Sequence, residues 1–383
     1  MVAEDPPLSF KRLFSRSLSA APGRLHMAAH SHHLWPDATR EAQAQYWDDS
    51  AELADRKWDK VMGEVLPEAR AHVAAELSLP DPNSVVFAPN THTLIVALFS
   101  ALKTPARVLA TDEEFHSFRR QSARWVEEGR IELEVVPADR FVAAARSGRH
   151  DLIFASHVSF KSGRVFEDLL DLADLASPEG PWLIIDGYHG FRGVPTDLSA
   201  VADRCFYLAG GYKYAMAGEG CAFMHAPEGF GPRPAITGWY AEFSDLEGPP
   251  GGVGYARDAS RFMGATFDPS GLYRFNAAAR MLKAEGLTTT AVGKHVRALQ
   301  AQLVEGVSDT PLTKAQLLNS LDEGRPHARF LAFRHPDAQA WKSALMERDI
   351  VTDVRGDVLR IGLGLYHDAA DIDRFRREFS ALA

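Results

Sequence analysis

Between Cys205 and His225 the chain reads CFYLAGGYKYAMAGEGCAFMH, two apolar runs flanking a glycine-bounded lysine. The run Cys205–Ala209 reads as a buried strand, and Cys221–Met224 as a second one returning to the core. Gly210-Gly211 ends the first run, where the backbone turns sharply or admits a close neighbour. Tyr212 and Lys213 follow, then a second glycine-interrupted loop, Ala217–Gly220. A lysine between buried strands pays a desolvation penalty in its charged form. It either reaches water by its long stem or keeps a lowered pKa, poised to form a Schiff base.

Composition narrows the field. The chain has 383 residues, 46% hydrophobic and 24% charged, enough for a large core and a smaller second domain. A formal net charge of -9 without a basic block argues against nucleic acid and anionic membrane surfaces as partners. The two cysteines, Cys205 and Cys221, both sit in apolar runs, which points to a reducing compartment rather than a disulfide scaffold. The N-terminal MVAEDPPLSFKRLFSRS has no long apolar core and no segment is long enough to span a bilayer, so a cytoplasmic protein is expected.

Outward from this stretch, short apolar runs alternate with helical periods from Ser84 onward: Val85–Phe87, Arg107–Ala110, Ile131–Val136, Leu152–Ala155 and Trp182–Ile185. Helices are expected from about Thr93 and about Phe118. This alternation predicts an α/β domain with a mainly parallel sheet flanked by helices. In such sheets ligands sit beyond the carboxyl ends of the strands. Asn90-Thr91-His92-Thr93, Phe115-His116-Ser117, Ser156, and Asp186 with His189 all fall at such ends. Upstream, residues 1–40 read as an arm, and Asp37 is placed to cap a helix running to about Lys60, with another over about Leu66–Leu77. Residues 41–285 form the large domain, with a Gly-rich connection at Phe230–Gly254 and a helix over about Ser270–Glu285. Residues 286–383 form a small α+β C-terminal domain, completed in part by the arm; it opens with a helix over Thr289–Val304 and continues from about 325 as strand, helix, strand, helix.

Asp186, at the end of Trp182–Ile185, either caps a turn with Gly187 or pairs with Lys213 across a pyridoxal phosphate ring. That cofactor needs a carboxylate against its ring nitrogen, a lysine for its aldehyde and donors for its phosphate. Asn90-Thr91-His92-Thr93 lies at a strand-to-helix junction, suited either to a simple N-cap or to phosphate. The histidines of Arg24–Pro36, RLHMAAHSHHLWP, read as cleft-lining residues; a metal site there lacks a completing CxxC or HExxH. GGYKY lacks the spacing of a P-loop.

The ordered set NTHT, EFHS, DGYH, GGYKY and GW resembles the fold-type I pyridoxal phosphate enzymes of the class V aminotransferase group, and within it kynureninase most. Leu359–Phe375, LRIGLGLYHDAADIDRF, is similar to the kynureninase ending. The resemblance implies a Schiff-base and acid/base role for Lys213, a pyridine-nitrogen contact for Asp186, and a place near the cofactor's 3-oxygen and ring face for His189. It implies phosphate contacts for Tyr212, His92 and Thr93, with Tyr212 also moving protons. Phe115 would stack on the ring, and Ser156 and Trp239 would complete the pocket. Thr266 would reach a phosphate across a homodimer interface. Arg360 would clamp the substrate's α-carboxylate, a task suited to its planar fork.

Several family features are missing. Asp48–Asp55 offers no ring-contacting histidine, Phe118 stands where kynureninase has a carboxylate, and Ala265-Thr266-Phe267 replaces Ser-Asn-Pro. His30, His32 and His33 are expected to supply substrate contacts instead. The implied activity is kynureninase-like hydrolytic Cβ–Cγ cleavage of an amino acid. A class V aminotransferase or β-lyase would share its early steps, and a non-catalytic binding or regulatory protein could keep the fold. A desulfurase is disfavoured, because both cysteines fall in apparent strands where a thiol is inert. A metal hydrolase using Asp186, His189 and the arm histidines is the remaining reading.

Overall fold

A computed structural model describes residues 9–245, 252–322 and 324–382. The first eight residues of the expected arm, and residues 246–251 of the expected Phe230–Gly254 connection, lie outside that description. The strands, in chain order, are β1 (Leu25–His26), β2 (Val85–Ala88), β3 (Ala106–Thr111), β4 (Ile131–Val136), β5 (Leu152–Ser156), β6 (Trp182–Asp186), β7 (Cys205–Gly210), β8 (Ala222–His225), β9 (Gln316–Leu317), β10 (Phe330–Arg334), β11 (Ile350–Val351), β12 (Asp353–Arg355) and β13 (Val358–Gly362).

Strands β2 to β8 form a seven-stranded sheet in the order β2-β8-β7-β6-β5-β3-β4. Only β8 runs against the rest, pairing antiparallel with both β2 and β7. The chain between β7 and β8 is short, and a parallel return would need a crossover of a dozen residues or more. That connection therefore reverses the strand and leaves Lys213 just beyond the end of β7. The strands are apolar on both sides because both faces are covered. Leu183 and Ile185 pack into one core cluster, Trp182 and Ile184 into the other. Edge strand β4 is the exception, with alternating burial and Val135 exposed.

The C-terminal part holds a four-stranded antiparallel sheet, β12-β13-β10-β9, and helices Thr289–Glu305, Ala338–Met346 and Ala369–Ser380. The arm joins it: β1 pairs in parallel with β11, and the Gly362 N–H donates to the Met27 carbonyl at 2.8 Å. Phe14, Leu25, Met27 and Ala29 of the arm enter the same apolar cluster as Leu331, Leu359 and Phe375.

Two expectations need correction. The helix from Asp37 ends at Leu53, where Ala54 takes a φ of 49°, and short helical turns lead into Leu66–Leu77. Asp37 does not cap its own helix. Its carboxylate accepts the Ser15 hydroxyl (2.5 Å) and the Arg16 N–H (3.0 Å), tying the start of the arm to the first turn of the Asp37–Leu53 helix.

Candidate active site

Five of the six strands that end at this edge, all but β4, deliver residues to one cavity of about 410 Å³. Asn90, Thr91 and His92 follow β2; Phe115 and Ser117 follow β3; Ser156, Val158 and Phe160 come from β5 and beyond. Asp186, Tyr188 and His189 come from β6, and Tyr212 and Lys213 follow β7. Lys213 and Asp186 thus open into the same space, which has a size suited to a small-molecule ligand.

Lys213 is buried. Its Nζ donates to the His30 carbonyl at 2.8 Å and lies 2.6 Å from His189 Nε2. Burial, then the Arg360 charge, push its pKa well below the ordinary lysine value, against the pull of Asp186 and Asp353. A neutral amine is the nucleophilic form. Burial also lifts Asp186 to about 7, although the Tyr188 N–H (2.8 Å) and Lys213 favour its anion. Burial outweighs mutual attraction at both groups. A cationic ring N–H arriving beside Asp186 would reverse the balance there.

Asn90 caps the helix Thr91–Phe99 by accepting the Thr93 N–H (2.9 Å) and hydroxyl (3.1 Å). Thr93 is thereby turned to its cap and is absent from the cavity wall. The N–H groups of Thr91 and His92 are ones a helix leaves without intrahelical partners, in the place an anion favours. Phe115 and Tyr188 lie parallel, 6.4 Å apart, and the Lys213 amine stands 5.1 Å from the Tyr188 ring centre. A Cβ at Gly210 would come within 2.4 Å of the Tyr188 hydroxyl, so that glycine admits the ring. Cavity, buried amine, buried carboxyl and free helix N–H groups together fit pyridoxal phosphate.

Other expected residues lie elsewhere. Trp239 is exposed and stacks on Tyr240 at 4.0 Å, held in the turn Trp239–Asp245, away from the cavity. Thr266 is also exposed and outside this chain's cavity. His32 is at the surface, its ring stacked 4.8 Å from that of Tyr212, and His33 is buried beside Phe14 and Tyr366. Arg360 lies behind Phe160, with its guanidinium 4.7 Å from that ring and paired with Asp353. His30 offers its carbonyl to Lys213, while its ring stacks on Phe330 at 4.6 Å. Among the described residues no three His, Cys, Asp or Glu side chains gather as a metal cage requires, and no helix is long and apolar enough to cross a membrane.

Sequence reasoning passed over Tyr188, Phe160 and Glu114. Tyr188 sits inside the quoted DGYH, and Glu114 immediately precedes Phe115. Buried Glu114 accepts the Thr111 hydroxyl (2.6 Å), the Ser156 hydroxyl (2.6 Å) and the Ser156 N–H (3.2 Å). Ser156 is the register partner of Asp186, so Glu114 braces the strand end beside it. Phe160 carried no local signal.

The chain matches the class-V aminotransferase family over residues 27–375. No curated protein sequence matches it. Among solved structures it is similar to C-DES, a lysine-to-alanine mutant with glycine covalently linked to the PLP cofactor (TM-score 0.81, 16% identity, covering 97% of this chain and 99% of that one). It is also similar to the apo cysteine desulfurase of Thermococcus onnurineus NA1 (0.78, 18%, 98% of each chain) and to the cysteine desulfurase CsdA of Escherichia coli (0.77, 16%, 96% of each). These likenesses concern the fold. The family match spans most of the sequence, and the chain belongs to the class-V aminotransferases.

Proposed function

We propose that this chain is a pyridoxal-phosphate-dependent enzyme that cleaves a β-substituent from an amino acid. The observation that carries the reading is the shared cavity of Lys213 and Asp186, with a helix N-terminus opening into it. Bound there, pyridoxal phosphate supplies an aldehyde for amino groups and a protonated ring that draws electrons from the α-carbon. Lys213 would hold the aldehyde until the substrate's amine took its place, and its freed amine would then take the proton from the α-carbon. Asp186 keeps the proton on the ring nitrogen. His92 and Thr91 offer backbone N–H groups to the phosphate, and Tyr212 stands ready beside them. Phe115 and Tyr188 confine the ring, and His189 orients the Lys213 amine. Arg360, behind Phe160, would receive the α-carboxylate in this reading. A homodimer, with exposed Thr266 at its interface, is part of this reading.

The kynureninase-like hydrolysis favoured by sequence takes second place. The aromatic-substrate residues of that family are missing here, and the structures compared above are named for carbon–sulfur chemistry rather than for kynurenine. C-DES is a cystine C-S lyase, known also in complex with its reaction product cysteine persulfide. A desulfurase relying on its own thiol is poorly supported. Cys205 and Cys221 are buried, outside the cavity, and burial pushes both thiols up to about 12. β-Elimination needs no thiol: the α-proton leaves, the Cβ–S electron pair departs with sulfur, and hydrolysis gives pyruvate and ammonia.

The test is to load purified protein with pyridoxal phosphate and supply L-cystine and L-kynurenine separately. Pyruvate and ammonia from cystine support elimination. Alanine and an aromatic acid from kynurenine would restore the hydrolytic reading. Transfer of the amino group to a keto acid, with the side chain intact, would mark an aminotransferase. An unchanged spectrum with a panel of amino acids would leave a binding protein.

A further inference from the structure

We propose that Asp353 is an internal competitor for the substrate's α-carboxylate: it occupies Arg360 until a ligand carboxylate displaces it, and so sets which amino compounds the site accepts. This rests on the cofactor reading above. Arg360 is fully buried. One terminal nitrogen donates to the Phe160 carbonyl at 2.5 Å, the other to Asp353 Oδ2, and Nε has no partner. A bidentate carboxylate clamp needs two N–H groups presented together. Three of the five Arg360 N–H groups remain, the unpartnered Nε–H among them, but an arriving carboxylate still meets the Asp353 charge on the same guanidinium and competes with it.

The pairing is built into the sheet. Asp353 of β12 and Arg360 of β13 are direct register partners, so no loop motion is needed to bring them together. Displacing Asp353 would not strand it, because Arg355 Nη1 donates to its other oxygen and His30 Nε2 faces it at 3.4 Å. Burial alone would raise the Asp353 pKa, but His30 and Arg360 outweigh it and hold the carboxyl well below the usual range. It is therefore an anion, as a substitute for a substrate carboxylate must be.

The pair also reaches the reactive amine. Phe160, whose carbonyl holds Arg360, lines the cavity, and its ring lies parallel to that of His189 at 6.1 Å. The residue that faces Asp353 with its ring, His30, holds Lys213 with its carbonyl. His30 fits there because a Cβ on Gly362 would lie 2.0 Å from its Nδ1. Releasing Asp353 thus changes the charge felt at Lys213.

The test compares two amines that differ in the carboxylate. Protein loaded with pyridoxal phosphate is titrated with L-alanine and with ethylamine, following the visible absorbance. Asp353→Asn removes the competing charge and keeps the shape. It should improve L-alanine relative to ethylamine by about tenfold or more, the scale of a close charge pair. Arg355→Gln, at a half-buried position, removes the alternative partner of Asp353 and should lower the same ratio about threefold, since Asp353 then holds Arg360 harder. General damage would weaken both ligands alike and leave the ratio unmoved. An unmoved ratio in Asp353→Asn, or a fall, overturns the proposal. If that variant does not fold, an unchanged or higher ratio in Arg355→Gln overturns it. If the wild type shows no spectral change with pyridoxal phosphate, the cofactor reading fails and this proposal with it. If it does and only the ratio fails, the cofactor reading stands.

Discussion

The inner wall that lines the cavity and the outer wall behind Phe160 are held in place by different means. On the inner wall, Ser156, Asp186 and Lys213 hang from the adjacent strands β5, β6 and β7, and the Thr91–Phe99 helix from β2 beyond β8, each within a few residues of its strand end. Their positions follow from backbone pairing and a core packed on both faces. On the outer wall, behind the cavity lining, His30, Asp353 and Arg360 meet only because the arm threads beside β13 and β12 pairs with it. The first wall is local and stiff, suited to a cofactor that stays. The second is assembled from segments more than 300 residues apart, and its charges are matched to each other until a ligand competes. A site can thus keep its chemistry constant on one wall while its selectivity is adjusted on the other.

Variants that attack this division range from large to small effects. Lys213→Ala should remove the visible cofactor band and cut turnover by about 10³ to 10⁴, the usual weight of a positioned acid/base. Steady-state kinetics and an absorbance scan check it. Asp186→Asn should cost on the order of 10² to 10³ in kcat, as loss of a preorganised charge does, while the fold, read by circular dichroism, is unchanged. Arg360→Lys belongs to the other wall. It should raise KM for carboxylated substrates by about 10- to 100-fold, since hydrogen bonds to charged groups contribute roughly 1.5–3 kcal/mol each. The cofactor band should survive; its loss would erase the distinction between the walls.

Glu114 tests the brace of the cofactor wall through stability. Burial comes first among the causes that raise its pKa to about 7, and the hydrogen bonds from Ser156 and Thr111 only partly oppose it. A carboxyl raised in the folded state binds its proton more tightly there, so its contribution favours folding at low pH and is lost as pH rises toward 7. Glu114→Gln lacks that loss. Its stability relative to wild type should improve between pH 5 and pH 8 by up to about 3 kcal/mol, measured by denaturant unfolding at both pH values. A difference independent of pH would mean that Glu114 ionises normally. Smallest of all, His32→Ala removes an exposed ring from Tyr212 and should change cofactor affinity by only about threefold, within the range of one aromatic contact.

The same contrast explains what could be read from the amino-acid order. The strands that feed the cavity are largely apolar runs followed by a chemically distinctive group, so Asp186, Phe115, His92 and Lys213 could be placed at strand ends by pattern alone. Tyr188 lay inside a noted motif, yet its ring position depends on Gly210 being close in space. Phe160 and Asp353 gave no signal: one is an aromatic in a loop, the other an aspartate in a three-residue strand. Their meaning comes from Arg360, seven residues after Asp353 and two hundred after Phe160. The break of the helix begun at Asp37 falls at Ala54, whose φ is 49°, and neither glycine nor proline marks it in the sequence. Trp239 and Thr266 were placed by resemblance, and a single chain leaves both on its surface.

The most direct measurement is covalent. Protein incubated with pyridoxal phosphate and reduced with borohydride should carry one pyridoxyl group on the peptide containing Lys213, found by mass spectrometry. Asp186→Asn should carry the same mark but with its visible absorbance altered. A wild-type protein labelled at another lysine, or at none, would contradict the claim that these two buried groups hold a single cofactor between them.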